Sequence, residues 1–206
     1  MIRKEVIPYL AGGLFAGFFS YLLFKPLAVI FFVLCLFFLY FFRDPERNPP
    51  SEPDSLVSPA DGKVIVIRQG SESFCPDGYT EISIFMSPLN VHVNRSPFDG
   101  VVKEIIYTPG KFFSAFKERA YRENENIKIT LQTQHGDIVV RQVAGSVARR
   151  ALCWVKEGES LVKGQRFGMI KFSSRLDICL PVTFDVKVKK GQKVRAGETV
   201  IASLRK

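Results

Sequence analysis

The chain has 206 residues and a mass of 23.3 kDa, the size of one domain with at most an appendage. Hydrophobic residues make up 47%, which excludes a disordered chain, and 29 Lys+Arg against 20 Asp+Glu leave a net charge of +9. Cys35, Cys75, Cys153 and Cys179 lie far apart, with no Cys-x-x-Cys and only two histidines; this excludes a disulfide scaffold and makes a metal site unexpected. Reduced thiols in a cytoplasm-facing protein are the expectation, with one spaced disulfide left open.

Ten of the 19 phenylalanines fall between Val6 and Phe42. Two charge-free runs lie there, 6–24 and 26–42, separated by Lys25, with Pro26 as the helix breaker that opens the second. Both meet the roughly 17–25 apolar residues that a spanning helix needs, the second only just. The expectation is a helical hairpin with Lys25-Pro26 at its tip, spanning the membrane or dipping into it. A signal peptide would need one short apolar core and a small-residue cleavage site, and neither is present. Arg3 and Lys4 precede the hairpin, and Arg43 and Arg47 follow it. The positive-inside tendency therefore places both ends, and the rest of the chain, on the cytoplasmic side of the cell membrane.

The expected domain boundary follows residue 47. Residues 48–206 carry 24 Lys+Arg and 17 Asp+Glu, a net charge of +7. A tethered basic domain suits anionic lipid headgroups. Nucleic acid is not an expected partner, because no recognition helix or aromatic-basic motif accompanies the charge. A homo-oligomer is compatible with the sequence.

Residues 48–54 read as a proline-rich extended linker. Short β-branched runs follow at 63–68, 81–85, 101–107, 127–132, 137–143, 168–172, 182–188 and 199–204, with turn formers between them. One segment, 112–123, reads as a helix from the spacing of Phe112, Phe113, Phe116 and Tyr121. The fold class is therefore mainly β, a sandwich- or barrel-type hybrid with one short helix, preceded by the apolar hairpin. Asp61-Gly62 and Asp99-Gly100 repeat a turn that leads into a strand, and Val162-Lys-Gly-Gln165 returns approximately as Val188-Lys-Lys-Gly-Gln192. Turn chemistry explains these repeats.

His92 lies in a turn-rich stretch, Ser87-Pro-Leu-Asn-Val-His-Val-Asn-Arg-Ser-Pro97, and can exchange a proton near neutral pH. It reads equally as a histidine serving its own loop. His135, in Gln134-His-Gly-Asp137, reads as a hairpin turn. Asp61 reads as a turn residue or as a carboxylate that orients a histidine. No nucleophile elbow, Walker loop or dinucleotide fingerprint is present. The residues alone stop at a membrane-tethered, basic, β-rich domain with a candidate Asp/His/Ser site.

Six blocks occur in a characteristic order: Ser58-Pro-Ala-Asp-Gly-Lys-Val64, Phe85-Met-Ser-Pro-Leu-Asn-Val-His92, Tyr107-Thr-Pro-Gly-Lys-Phe-Phe-Ser114, Asn124-Glu-Asn126, Val143-Ala-Gly-Ser-Val-Ala-Arg-Arg150, and Lys163 through Arg175. With them, residues 48–206 resemble the phosphatidylserine decarboxylase family, in its short, membrane-associated, pyruvoyl-dependent branch. The resemblance implies a self-processing enzyme. In the family a serine attacks the carbonyl before it, an acyl shift gives an ester, and β-elimination cuts the chain and leaves a pyruvoyl group. The match places that serine at Ser174, with the Ser173–Ser174 bond cut and a large piece 1–173 partnered by its own fragment 174–206. The pyruvoyl group would form a Schiff base with the substrate amine and take up the electrons left by decarboxylation. His92 is then the candidate proton donor and Asp61 the orienting or charge-balancing carboxylate. Arg149 and Arg150 are candidates for the headgroup phosphate, or an exposed basic strand end.

Two positions depart from the family pattern. Ser173 stands where glycine is usual, and Arg95 stands where the long branch has a second histidine. Gly145-Ser146 would suit the processing chemistry, but it lies in an upstream block. Competing expectations are an inactive membrane-anchored β-sandwich carrier or assembly module, a membrane-anchored hydrolase, and archaetidylserine as the substrate.

Overall fold

The computed structural model describes residues 1–69, 74–113, 123–145, 150–172 and 174–205. The chain forms two compact units, Met1–Glu46 and Arg47–Lys206.

The first unit is the helical hairpin, α1 (Ile7–Leu23) and α2 (Lys25–Phe41). Phe24 is extended between them, and Pro26 sits in the first turn of α2, where its missing N–H has no partner to lose. The helices pack closely where Gly13 meets Cys35: a Cβ at Gly13 would stand 2.6 Å from the Cys35 Sγ. Small residues permit this approach between apolar helices. The open end is closed by backbone bonds from Arg3 N to Phe42 O (3.0 Å) and Asp44 N to Met1 O (2.7 Å). Phe15, Phe18 and Phe32 remain more than 60% exposed on the outer faces, a surface suited to lipid. The stretch Lys4–Leu23 is long and apolar enough to cross a membrane, whereas Lys25–Phe41 is shorter.

The second unit contains β1 (Ser55–Val57), β2 (Gly62–Gln69), β3 (Tyr79–Met86), β4 (Val93–Arg95), β5 (Gly100–Thr108), β6 (Asn126–Thr133) and β7 (Gly136–Val143). It continues with β8 (Ala151–Cys153), β9 (Ser160–Leu161), β10 (Arg166–Ile170), β11 (Ser174–Pro181), β12 (Phe184–Val186), β13 (Lys193–Val194) and β14 (Val200–Leu204). Eight strands form an antiparallel sheet in the order β13-β2-β3-β11-β7-β6-β5-β9. Two three-stranded sheets, β1-β14-β12 and β4-β10-β8, complete the unit. One core joins them: Ile82, Ile84, Leu176 and Ile178 of the large sheet pack in the same cluster as Ala151, Ile170, Ile201 and Ala202.

The repeated motifs are the same turn. Gln165 N bonds Val162 O and its side chain accepts from Val162 N; Gln192 does the same with Lys189. Gly164 (φ 82) and Gly191 (φ 92) supply the left-handed residue that this turn requires. His135 lies in the turn between β6 and β7, as its neighbours suggest.

Several expectations are corrected. The strand Ser174–Pro181 is absent from the sequence-based set, yet it is central to the large sheet, between β3 and β7. The runs expected at 168–172 and 182–188 are strands at Arg166–Ile170 and Phe184–Val186. Cys75 and Cys179 are joined in a disulfide, so reduced thiols hold only for Cys35 and Cys153. The helix expected at 112–123 lies largely outside the described residues.

Gly62 shows why the Asp-Gly motif needs its glycine. A Cβ there would stand 2.2 Å from the Phe85 carbonyl oxygen, so no side chain fits between β2 and β3. Gly62→Ala is expected to cost about 1–3 kcal/mol, the usual range for overpacking, measurable as a lowered denaturation midpoint.

Candidate active site

Ser174 is the first residue of β11 and is fully buried. It faces Met86 in register, and its Oγ donates to the Met86 Sδ at 3.4 Å. Asn94 Nδ2 reaches the same sulfur at 3.8 Å, and Gln142 Nε2 donates to Asn94 Oδ1 at 2.8 Å. A chain of buried contacts thus runs from the serine through Met86 of β3 and Asn94 of β4 to Gln142 of β7.

The backbone is strained at Phe172, two residues before Ser174. Phe172 has φ 41 and is the one non-glycine residue in the left-handed region among the described residues. A bulky side chain there costs on the order of 1–3 kcal/mol and persists only where the surroundings impose it. Ser173 itself lies outside the described residues, as do Ser146 and Arg149. Lys171 N bonds the Arg150 carbonyl at 3.1 Å, which sets the exposed Arg150 beside this segment.

His92 precedes β4 and is fully buried. Its carbonyl accepts from Ile170 N at 3.2 Å, tying its loop to the strand that precedes Ser174. The ring Nδ1 lies 2.9 Å from the Asn90 carbonyl. A carbonyl only accepts, so in the neutral ring Nδ1 carries the proton and Nε2 carries the lone pair. The Asn90 side chain is held in turn by the Ser87 N (2.9 Å) and Oγ (2.8 Å), so the turn formers in this stretch orient the imidazole.

Asp61 accepts from Arg47 Nη2 at 2.9 Å and from Ala196 N at 2.8 Å. Arg47 also pairs with Glu198. Arg95, at the second-histidine position, donates from Nη1 to the Gly164 carbonyl at 2.9 Å, a bond within the scaffold.

Sequence reasoning missed four contributors. Met86 contacts Ser174, and Asn94 and Gln142 extend that contact into β4 and β7. Asn124 binds both the N and O of Phe113 and donates to the Ala144 carbonyl, joining three of the characteristic blocks. Met86, Asn94 and Asn124 lie in stretches singled out in the sequence, but only side-chain contacts reveal what they do. A fifth feature is a cleft of about 500 Å³ lined by Asp61, Lys63, Ser87, Asn90, Lys193 and Arg195, among others. Lys63 and Lys193 are direct cross-strand neighbours, and among the described residues neither side-chain ammonium has an ion pair or hydrogen bond. Like charges so placed repel, which favours an anion beside them.

The phosphatidylserine decarboxylase family profile matches residues 34–202. The chain is 44% identical to the phosphatidylserine decarboxylase proenzyme of Desulfotalea psychrophila over 99% of this chain and 100% of that protein. It is 46% identical to the proenzyme of the same name from Citrifermentans bemidjiense, covering 98% and 96% of the two chains. The corresponding protein of Chlorobaculum tepidum is 48% identical over 81% of this chain and 77% of its own. The chain therefore belongs to the phosphatidylserine decarboxylase family.

Proposed function

We propose that this chain is a phosphatidylserine decarboxylase made as a proenzyme, which cuts itself between Ser173 and Ser174 and converts phosphatidylserine to phosphatidylethanolamine. The observation that carries the reading is Ser174 at the head of a central strand, buried, two residues after Phe172, whose backbone is held in a left-handed conformation. A backbone under strain next to a buried hydroxyl suits attack on the preceding carbonyl. In that step the Ser174 Oγ bonds to the carbonyl carbon of residue 173, the amide nitrogen takes a proton and leaves, and an ester replaces the amide. Loss of the Ser174 α proton then breaks the Cβ–O bond and releases the carboxylate end of 1–173.

The dehydroalanine left at 174 would tautomerise to an imine, which water hydrolyses with release of ammonia, and the residues fit the resulting pyruvoyl group because the carbon skeleton of buried Ser174 supplies its carbons. That group would supply the electron sink for the carbon that loses carbon dioxide. The surrounding residues then bind and move protons. His92, with Nδ1 fixed by Asn90, offers Nε2 as the atom that takes up or delivers a proton. Asp61 balances charge through Arg47 and pins the Ala196 segment. Arg150 beside Lys171, and the Lys63–Lys193 cleft, suit the phosphate of the headgroup. The exposed phenylalanines of the hairpin suit attachment to the membrane that holds the substrate, with the basic unit on the cytoplasmic face.

Intact mass of the purified protein tests the cleavage. A C-terminal piece of 33 residues, about 3.6 kDa with a blocked, ketone-reactive end, is expected under reducing conditions. A single 23.3 kDa chain would overturn the reading. His92→Ala is expected to slow self-cleavage, turnover or both by about 10²–10⁴-fold, read from the appearance of the small chain and the release of carbon dioxide. Wild-type rates in both assays would remove His92 from the mechanism.

A further inference from the structure

This inference rests on the cleavage proposed above. Cutting before Ser174 would make Ser174–Lys206 a separate chain of 33 residues, too short to hold a fold alone. Strand alternation divides β11 into two faces. Ser174 shares one with Leu176, Ile178 and Leu180, which enter the core. Arg175, Asp177 and Cys179 form the other, and all three are buried.

We infer that this second face fastens the two product chains together, and that the Cys75–Cys179 disulfide makes the fastening covalent. Each of its three residues is tied to a residue of the large chain. Arg175 Nη2 donates to Ser83 Oγ at 2.6 Å and pairs with Glu81 at 3.2 Å. Asp177 accepts from Arg141 Nη2 at 2.7 Å. Cys179 is bonded to Cys75, 104 residues earlier. The ties reach β3, β7 and the segment before β3, so they hold β11 from both neighbouring strands. Their position on the face away from Ser174 leaves the reacting side untouched.

The disulfide changes the thermodynamics of the cut molecule. With it, unfolding leaves the two pieces tethered and is unimolecular. Without it, the small chain gains translational freedom on unfolding, and stability depends on protein concentration. Cys179 is fully buried and Cys75 nearly so, which shields the bond from thiol reductants in the folded protein.

The test is denaturing electrophoresis with intact mass, free thiols being alkylated first, with and without dithiothreitol. Reduction takes two electrons from the dithiol, which cyclises to its own disulfide, and frees both cysteines. Without reductant, one species of about the full-chain mass is expected, carrying two alkyl labels, on Cys35 and Cys153. With reductant, two pieces of about 19.7 and 3.6 kDa are expected. Two pieces already present without reductant would overturn the fastening while leaving the cleavage intact. One uncut chain in reductant would overturn the cleavage; its label count before reduction, two or four, would still report on the disulfide. Cys75→Ser supplies a second readout outside the central strand: its melting temperature is expected to rise with protein concentration while that of the wild type does not. Identical concentration dependence in the two proteins would also overturn the inference.

Discussion

Ser174→Ala is expected to yield one uncut chain with no decarboxylase activity, even after complete reduction. The substitution removes the oxygen that the proposed acyl shift uses, and with it the leaving group whose elimination would start formation of the ketone. It deletes one hydroxyl whose sole described hydrogen bond is to the Met86 sulfur, a weak acceptor, so the fold is expected to survive. Mass spectrometry and circular dichroism of the variant check both halves of this expectation. Normal cleavage in Ser174→Ala would move the processed serine elsewhere, with Ser146 next in line, and the C-terminal piece would then be near twice the mass. Because the alanine variant keeps the strand and its register, lost activity could not be assigned to a collapsed sheet.

Asp177→Asn is expected to be the most destabilising single change on the opposite face of β11. Burial alone would push the Asp177 carboxyl up; the neighbouring Arg175 and Arg141 guanidiniums, with the Ser83 hydroxyl, outweigh it and hold the group below its ordinary 3.8. The asparagine leaves two buried guanidiniums without their shared anion, a loss of about 3–5 kcal/mol for a buried pair broken on one side. At about 2–4 °C per kcal/mol for a chain of this size, the melting temperature should fall by roughly 6–20 °C. A carboxyl whose folded value is depressed contributes its full stability above the unfolded value. That contribution is lost as pH falls from 3.8 through the lower folded value. Wild-type stability should therefore decline steeply below about pH 4, and Asp177→Asn should show a shallower decline there. Equal slopes in acid denaturation would mean that Asp177 is not the titrating group.

The same cluster explains why β11 was illegible in one dimension. Its residues Ser-Arg-Leu-Asp-Ile-Cys-Leu-Pro do alternate, but the first two alternate positions, Arg175 and Asp177, are charged, and charge ordinarily marks a solvated face. Here the face is buried, because Glu81, Ser83 and Arg141 arrive from strands 90 and more, or some 35, residues away to satisfy it. Nothing local announces these partners. Asp61 is a similar case. Its motif marks a turn, and the turn forms, but that its carboxylate answers Arg47 and the Ala196 amide depends on segments meeting across the fold. The disulfide, closed over 104 residues, is invisible to spacing arguments for the same reason.

What the sequence determined by itself is what short-range forces decide. The two apolar runs and the Lys25-Pro26 break specify a helical hairpin, because backbone hydrogen bonds within each helix need no distant partner. The two Lys-Gly-Gln turns and the Gln134-His135 hairpin follow from residues that favour turn dihedrals wherever they occur. The order of blocks specifies the family. What only the tertiary structure decided is which strand is central, which charges are buried in pairs, which nitrogen of His92 meets the Asn90 carbonyl, and which cysteines meet. Each of these is a pairing between residues far apart in the chain, and its energy exists only once both partners have been brought together and removed from water.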